Sequence, residues 1–247
     1  MIKEGDIVVL VGKKRHIVRV KRGMARVGKG TMDLSRLIGK EYGNEIIVWG
    51  EEFRIYRPSY LDLIGDFERG AQVILPKDAA QIIQLCDIRA GDRVLEAGSG
   101  SGWLTAALSM NVIPDGIVVS YDISKKSIET ARRNIEKAGL DAYVEFMEGD
   151  IREAEIEGKF SSCVLDMPDP WNALKNVSRS LISGGHVCIY VPTYNQVEES
   201  VLSMKEDFFD IGAVELIQRN IEAKKGATRP EFTGLLHTGF IIHGRKR

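Results

Sequence analysis

The stretch RVLEAGSGSGWLTAA, residues 93–107, decides the fold. An apolar run ends at Glu96 and leads through closely spaced glycines into apolar residues at helical spacing, which predicts a strand, a tight turn and a helix. The glycines are Gly98, Gly100 and Gly102. Their spacing is GxGxG, whereas a dinucleotide-binding turn reads GxGxxG. An acid before the first glycine also suits the ammonium of an amino-acid-bearing cofactor better than a pyrophosphate. The stretch therefore favours S-adenosylmethionine over NAD, and a tight turn without a ligand is the other alternative.

Beyond Gly91, apolar strands alternate with helices. The segments in this rhythm are RVLEA, WLTAALSM, GIVVSYD, a helix over residues 125–138, YVEFM, CVLDM and HVCIYV. Such alternation predicts an α/β fold with a doubly wound, mostly parallel sheet. After a helix near residues 195–207, the extended runs 213–221 and 235–243 are expected to close the chain as an antiparallel pair.

The N-terminal quarter follows a different pattern. Short apolar strands at residues 6–11, 16–20, 45–49 and 53–56 are separated by glycine-bearing turns, with no long helical period. Residues 1–57 are therefore predicted to form a small β domain. Helical spacing begins at residue 60 and continues to 87, with Pro76 suited to a first helical turn. Residues 58–247 are predicted to form the second domain.

Charge is distributed unevenly along the chain. The formal net charge is −1, yet residues 1–40 contain eleven Lys or Arg against three Asp or Glu. A basic block of this kind is expected where a protein replaces the counterions of nucleic-acid phosphates, and a solvated strand face is the alternative. Lys13, Lys14 and Arg15 are the most concentrated part of the block. We expect them to contact an RNA backbone.

Acidic residues follow two further strands. Asp122 ends the strand GIVVSYD, twenty residues after Gly102, where such folds place a carboxylate for ribose hydroxyls. Asp150 follows YVEFM, where an acid can accept a hydrogen bond from the amine of an adenine ring. Together with Glu96, these acids are expected to lie along one sheet edge that binds an adenosyl cofactor.

The fourth strand runs into LDMPDPW, residues 165–171. Asp166 closes the apolar run, and two prolines stiffen the loop before Trp171. In this position an acid can accept an exocyclic amine proton and an aromatic ring can support a planar base. A structural cap at Asp166 and simple helix-start packing of Trp171 are the alternatives.

Composition excludes several other classes of protein. No apolar run approaches the roughly 18 residues of a membrane span. Acids at positions 4 and 6 interrupt any secretory signal, so a cytoplasmic protein is expected. The three cysteines have no CxxC spacing and lie in apolar runs, which favours core positions over a disulfide or a metal site. We expect no metal and no membrane partner.

With these motifs taken together, the sequence resembles the tRNA adenine-N1 methyltransferases that modify the T-loop adenine, of the TrmI type found in bacteria and archaea. The resemblance rests on RGAQVILPKDAAQII at 69–83, LEAGSGSGWLT at 95–105, LDMPDPW at 165–171, VPTYNQV at 191–197, RP at 229–230 and HTGF at 237–240. It implies a class I methyltransferase-like seven-stranded sheet, S-adenosylmethionine as the cofactor, tRNA as the substrate and a homotetramer.

The resemblance also implies roles for individual residues. The cofactor lining would comprise Gln72, Val73, Ile74, Glu96, Gly98, Ser99, Gly100, Ser101, Gly102, Trp103, Leu104, Asp122, Ser127, Asp150 and Ile151. Asp166 would be the catalytic residue, and Trp171, Arg229 and His237 would join the basic residues in contacting the tRNA. Relatives often carry Tyr or His near the target base where this chain has Leu75, so a stacking role at that position is not expected.

These assignments define a mechanism and its rivals. The methyl group would pass in line from the cofactor sulfur to adenine N1, with the enzyme supplying mainly position and orientation. Asp166 would stabilise the cationic product through the N6 amine. A protein or small-molecule methyltransferase would need neither the basic block nor DxPxPW. A noncatalytic RNA-binding subunit would lack the glycine turn or Asp166.

Overall fold

The computed structural model describes residues 1–70, 72–231 and 237–247. Six strands form its N-terminal part: β1 (Ile7–Val11), β2 (Arg15–Arg19), β3 (Met24–Val27), β4 (Gly30–Asp33), β5 (Glu45–Val48) and β6 (Glu51–Tyr56). Four of them make an antiparallel sheet in the order β2-β1-β6-β5, and β3 and β4 pair as a separate hairpin. Phe53 and Ile55 are buried and alternate with exposed residues, as a strand with one core-facing side requires.

The predicted small β region is therefore confirmed, with one addition. The hairpin of β3 and β4 was not predicted, because each strand has only four residues and only Val27 and Met32 are buried apolar side chains. The boundary between residues 57 and 58 stays a prediction. Ile7 and Ile17 pack against the same apolar cluster as Trp103 and Ile135, so the two parts share a contact surface.

The remainder of the chain contains six helices and nine strands in its described residues. The helices are α1 (Tyr60–Gly65), α2 (Pro76–Leu85), α3 (Trp103–Val112), α4 (Lys125–Ala138), α5 (Leu174–Ser180) and α6 (Tyr194–Met204). The strands are β7 (Arg93–Ala97), β8 (Ile117–Asp122), β9 (Val144–Glu148), β10 (Phe160–Leu165), β11 (Leu181–Val191), β12 (Phe208–Glu215), β13 (Ile221–Glu222), β14 (Arg229–Pro230) and β15 (Phe240–Lys246).

Seven of these strands form one sheet in the order β12-β15-β11-β10-β7-β8-β9. β7, β8, β9, β10 and β11 are paired in parallel, and β15 is antiparallel to both of its neighbours. This confirms the doubly wound, mostly parallel seven-stranded sheet. The chain leaves β7 toward β8 on one side and later returns to β10 on the other. Ligands bind outside the carboxyl ends of the strands at such a reversal.

Two helices show how closely local sequence sets the element bounds. α4 covers the predicted residues, because the Ser124 side chain accepts a hydrogen bond from the Ser127 amide at its start and Gly139 takes a left-handed φ of +72° at its end. Pro76 occupies the first turn of α2, as predicted.

The last elements differ from the prediction. α6 ends at Met204 rather than at 207. The strand predicted at 213–221 is wrong in its bounds, since β12 begins at Phe208, a fully buried residue, and ends at Glu215. The run predicted at 235–243 begins outside the described residues, and β15 covers Phe240–Lys246. The predicted antiparallel pairing of the two strands is confirmed.

None of the helices in the described ranges is long and apolar enough to cross a membrane. Cys86, Cys163 and Cys188 are buried with free thiols, and burial raises the pKa of Cys163 and Cys188. These three side chains pack with the apolar residues of the large sheet.

Candidate active site

The glycine turn after β7 is shaped by its neighbours. Gly98, Gly100 and Gly102 all have positive φ, at +96°, +52° and +80°. A β-carbon at Gly98 would overlap the backbone carbonyl oxygen of Asp166, and one at Gly102 would lie 3.2 Å from the Ala131 Cα in α4. Gly100 meets no such obstacle among the described residues. Packing therefore requires glycine at the first and third positions, while the second is exposed where a ligand could approach the backbone.

Asp122 connects this turn to the next helix. Its Oδ2 accepts a hydrogen bond from the Gly100 amide at 3.0 Å, and its Oδ1 accepts one from the Ser124 amide at 2.8 Å. The carboxylate at the end of β8 thus fixes both the glycine turn and the start of α4. Each oxygen keeps a lone pair for a ligand hydroxyl, because a carboxylate offers about four acceptor sites.

Glu96 lies behind the turn and is fully buried. Its Oε2 accepts hydrogen bonds from Thr105 at 2.7 Å and Ser120 at 2.6 Å. Burial raises the pKa of Glu96 to about 7, against the opposing effect of these hydrogen bonds. Oε1 has no hydrogen-bond partner within the described part of the chain. Binding of the cofactor's ammonium group by the Glu96 carboxylate stays a prediction.

A pocket of about 280 Å³ opens at the carboxyl ends of the parallel strands. Its lining consists of Ala97, Gly98, Tyr121, Asp122, Ile123, Gly149, Asp150, Ile151, Arg152, Asp166, Met167 and Pro168. Three carboxylates, from the ends of β8, β9 and β10, therefore share one cavity. The carboxylate expected from β7, that of Glu96, is not part of this wall.

Arg152 is a pocket residue that the sequence reading missed. Its Nε and Nη2 lie 2.8 and 2.6 Å from the two carboxylate oxygens of Asp150. This guanidinium lowers the pKa of Asp150. The spacing Asp-x-Arg in a loop after a strand is the only signal that could have indicated the pair. Asp150 therefore offers a ligand a carboxylate that already carries a counter-charge.

Asp166 lies directly after β10. Its backbone amide donates to the Ala97 carbonyl at 2.8 Å, which holds the residue against the end of β7. Burial, and then the nearby charge of Asp122, raise the pKa of Asp166 to about 6. An acid that changes charge near neutral pH and lines a pocket has the properties of a functional group.

Trp171, predicted to support the target base, lies in a single 3-10 turn, Pro170–Ala173. The indole is partly buried and packs against the core cluster that contains Leu174 and Leu165. Its position agrees with helix-start packing, and a contact with the substrate stays a prediction.

The remaining predicted cofactor residues are not part of the lining of this pocket. Ser99, Ser101, Trp103 and Leu104 are buried in and after the glycine turn. Ser101 Oγ and Trp103 Nε1 have no hydrogen-bond partner within residues 1–70, 72–231 and 237–247. Ser127 is in the first turn of α4. Before α2, Gln72 is exposed, Val73 and Leu75 are partly buried, and Ile74 is buried.

The PKD and HTGF segments meet in a buried network. Lys77 Nζ lies 2.7 Å from Asp78 Oδ1, from Thr238 Oγ1 and from the Leu216 carbonyl oxygen. Thr238 also donates to Asp78 Oδ2 at 2.8 Å, and Tyr190 donates to the same oxygen at 3.4 Å. Because Asp78 is fully buried, this network fixes the first turn of α2 against the segment that leads into β15.

His237, the first residue of the HTGF motif, connects its own segment to two others. Its Nδ1 lies 2.7 Å from Glu215 Oε1 and its Nε2 lies 2.9 Å from the Pro192 carbonyl oxygen. These bonds, that to Glu215 first, raise the pKa of His237. The ring also packs on Phe240, with centroids 4.8 Å apart.

The other predicted tRNA contacts lie apart from the pocket. Lys13 and Lys14 are exposed in the turn between β1 and β2. Arg15 forms an ion pair with Asp62 in α1, so it also joins the two parts of the chain. Arg229 pairs with Glu222 across the short β13–β14 hairpin at 2.8 Å. Their contact with RNA stays a prediction.

The strand order, the glycine turn and the carboxylates at one sheet edge define the class I methyltransferases. Solved structures agree with this class. A TrmI tRNA (m1A58) methyltransferase from Aquifex aeolicus is 32% identical, with a TM-score of 0.76 over 100% of this chain and 98% of that one. A SAM-dependent O-methyltransferase from Thermotoga maritima is 30% identical, with a TM-score of 0.81 over 99% and 94%.

Sequence comparison identifies the family. A family model described as tRNA methyltransferase complex GCD14 subunit matches residues 66–233. The tRNA (adenine(57)-N(1)/adenine(58)-N(1))-methyltransferase TrmI of Methanocaldococcus jannaschii is 33% identical, over 79% of each chain. The tRNA (adenine(58)-N(1))-methyltransferase TrmI of Thermus thermophilus is also 33% identical, over 80% of this chain and 78% of the relative. The chain belongs to the TrmI-type tRNA (adenine-N1)-methyltransferase family.

Proposed function

We propose that this protein transfers the methyl group of S-adenosylmethionine to N1 of a T-loop adenine in tRNA. The relatives act on adenine 58, and the M. jannaschii relative also on adenine 57. The observation that supports this proposal most directly is the position of Asp166 in the same pocket wall as Asp122 and Asp150. An acid for the substrate amine and acids for the cofactor would then lie within one cavity.

The residues around the glycine turn fit S-adenosylmethionine. Gly100 leaves the backbone open to a ligand, and Asp122 keeps acceptor capacity for ribose hydroxyls. Near the same turn, Glu96 Oε1, Ser101 Oγ and Trp103 Nε1 are buried polar atoms without partners among the described residues. Such atoms are costly unless a ligand or water satisfies them. When bound, S-adenosylmethionine supplies an electrophilic methyl group.

Asp166 would act on the target base. With a pKa of about 6, its carboxylate is mostly ionised at neutral pH and can accept a hydrogen bond from the adenine N6 amine. This bond strengthens as positive charge develops on the ring, so it stabilises the transition state more than the bound substrate. The Ala97 carbonyl and Gly98 hold the Asp166 backbone in place, which limits the reorganisation needed during the reaction.

The basic N-terminal block supports tRNA as the partner. Lys13 and Lys14 are exposed and could neutralise phosphates, and recognition of the folded RNA by shape would supply much of the selectivity. The family resemblance supports a homotetramer and a cytoplasmic location. Light scattering of the purified protein tests the assembly.

Mass mapping of modified nucleosides tests the function. Unmodified tRNA would be incubated with the protein and S-adenosylmethionine, digested and analysed for 1-methyladenosine and its position. Methylation at the T-loop adenine supports the proposal, and a second product at the preceding adenine shows a two-site enzyme. Methylation confined to proteins or small molecules would favour the rival suggested by the O-methyltransferase neighbour. Absence of turnover with intact tRNA binding would favour a noncatalytic subunit.

A further inference from the structure

Trp49 has an unusual backbone conformation for an exposed aromatic residue. It is the first residue of the two-residue turn between β5 and β6. The strand residues on either side of this turn, Val48 and Glu51, pair with each other. Trp49 has φ +51° and Gly50 has φ +74°, which corresponds to a type I′ turn. Such turns strongly favour Asn, Asp or Gly, and a bulky residue with positive φ is an outlier. The Trp49 side chain is nevertheless 77% exposed, so burial of the ring does not offset this strain.

The indole is held in one place despite its exposure. Trp49 Nε1 donates a hydrogen bond to the Thr31 carbonyl oxygen at 3.1 Å. A β-carbon at Gly30 would overlap the indole ring, and the φ of Gly30 is not in the left-handed region. Glycine at position 30 is therefore explained by the ring that covers it rather than by its own backbone conformation. Two neighbouring residues of β4 thus hold in place a side chain that remains open to solvent.

A strained residue that its surroundings hold in place is a reason to look for a function, because such residues cluster at ligand and active sites. Because its N–H is already bonded to Thr31, the indole offers a partner chiefly an aromatic face. A fixed aromatic face is a stacking surface that accepts any nucleobase. Unpaired bases are also the part of a folded RNA that proteins reach by stacking.

Exposed basic residues lie on the hairpin against which the Trp49 indole packs. Arg26 and Lys29 are exposed on the β3–β4 hairpin, Lys29 in its turn next to Gly30 and Arg26 on the strand face opposite to the one that the indole covers. Of the nearby acids, Asp33 accepts hydrogen bonds from the Gly23 and Ser35 amides, which lower its pKa. The carboxylate of Glu51 lies against Gly28. An unpaired base with its phosphates matches an aromatic face next to a hairpin that carries two exposed basic residues.

We propose that Trp49 is a stacking platform for an unpaired base of the tRNA, with Arg26 and Lys29 neutralising the adjacent phosphates. This contact rests on the proposed function for the identity of the RNA. It extends the substrate surface from Lys13 and Lys14 to the β5–β6 turn, which lies at the same end of the sheet, because Val11 pairs with Arg54 and Gly12 lies against Phe53. Stacking would add affinity that does not depend on salt, whereas the basic residues would add affinity that does.

The test compares Trp49→Ala and Gly30→Ala with the wild type in the full-length protein. Tyr42→Ala is the matched control, because Tyr42 is another exposed aromatic of the same region, 47% accessible, beside Glu41. Dissociation constants for an unmodified tRNA transcript are measured by fluorescence anisotropy at several salt concentrations. Single-turnover methylation at saturating tRNA is measured in parallel. Trp49→Phe keeps an aromatic face at this position, so it tests the stacking role even if Gly30→Ala fails to fold.

We expect Trp49→Ala to weaken tRNA binding about tenfold, with little change in the salt slope. Gly30→Ala should weaken it as well, Trp49→Phe less, and Tyr42→Ala not at all. Arg26→Ala with Lys29→Ala should instead flatten the salt slope. The single-turnover rate at saturation should stay close to that of the wild type.

Unchanged affinity in a folded Trp49→Ala protein would overturn the proposal. Sedimentation velocity compares the oligomeric state of Trp49→Ala with that of the wild type. A smaller assembly in the variant would also overturn the proposal, since the indole would then contact a second copy of the chain. If the wild type binds tRNA through Trp49 but does not methylate it, the stacking contact stands and the proposed function fails. If methylation occurs and Trp49→Ala has no effect, the function stands and the stacking contact fails.

Discussion

The backbone carbonyl oxygen of Asp166 occupies the space in which a β-carbon at Gly98 would lie. The first glycine of the turn after β7 is thus fixed by the loop after β10, and the proposed catalytic residue is positioned by the proposed cofactor turn. Asp166 in turn donates its amide to Ala97, the residue before that glycine. The two loops form one unit, so a change in either should be felt in both.

Gly98→Ala should therefore abolish most methyl transfer. The added methyl group forces the Asp166 backbone to move, and alanine at φ +96° adds strain of about 1 kcal/mol. Gly91→Ala is the control, because Gly91 has φ +87° with nothing within 4 Å of its β-carbon position. Single-turnover rates and melting curves of both variants measure the effects. Equal losses in the two variants would show that strain alone, and not displacement of Asp166, is responsible.

Asp166→Asn should lower the single-turnover rate about 10² to 10³-fold while tRNA and cofactor affinity stay nearly intact. Because burial raises the pKa of Asp166 to about 6, its ionised form is disfavoured in the folded state. The variant should consequently melt no lower than the wild type at pH 7. A lower melting temperature with an unchanged rate would identify Asp166 as a loop cap.

The same pKa predicts how the rate depends on pH. The wild-type single-turnover rate should rise as pH increases through about 6 and then level off, as the Asp166 carboxylate ionises. The residual rate of Asp166→Asn should lack this step. A step that persists in the variant would assign the titration to another group, of which Glu96, with a pKa of about 7, is the nearest candidate.

Much of the fold could be predicted because its signals are local. Alternating strands and helices and the glycine turn act within a few residues, so their order along the chain could be predicted. The helical spacing predicted over residues 60–87 is, however, divided into α1 and α2 by residues 66–75. The Lys77–Asp78–Thr238 network could not be predicted from patterns, since its members are 160 residues apart in sequence. The burial of Glu96 is equally invisible locally, because it depends on Thr105 and Ser120 from neighbouring elements.

Asp122→Ala should weaken binding of S-adenosylmethionine by about 1.5 to 3 kcal/mol, through loss of a charge-assisted hydrogen bond to the ribose. It should also lower the melting temperature, because the Gly100 and Ser124 amides lose their acceptor. Asp115→Ala removes an exposed carboxylate from the loop before β8 and serves as the control. Calorimetry measures the affinity. Cofactor affinity that matches the wild type in a folded Asp122→Ala protein would remove Asp122 from the site.

Lys13→Ala with Lys14→Ala should raise KM for tRNA and flatten its dependence on salt, because fewer counterions are released on binding. Arg15 is left intact, since its ion pair with Asp62 joins the two parts of the chain. Lys175→Ala with Lys205→Ala removes two exposed charges elsewhere and should leave the salt slope unchanged. If both double variants behave alike, the basic turn is only a solvated surface.

His237 should stabilise the protein in a pH-dependent way. Both ring nitrogens face acceptors, the Glu215 carboxylate and the Pro192 carbonyl, so the arrangement is complete only when the imidazole carries two protons. Its pKa is accordingly raised above the usual value of about 6.5. The contribution is therefore fully present below pH about 6.5 and is lost as pH rises through the folded-state pKa.

The difference in melting temperature between the wild type and His237→Gln should thus be largest in mild acid and shrink as the solution becomes alkaline. His243→Gln provides a control of opposite sign, because burial lowers the pKa of His243 and its neutral form is favoured in the fold. The stability that His243 contributes should fall as pH drops below about 6.5. A difference for His237→Gln that stays constant from acid to alkaline pH would mean that its ring acts through packing on Phe240 alone.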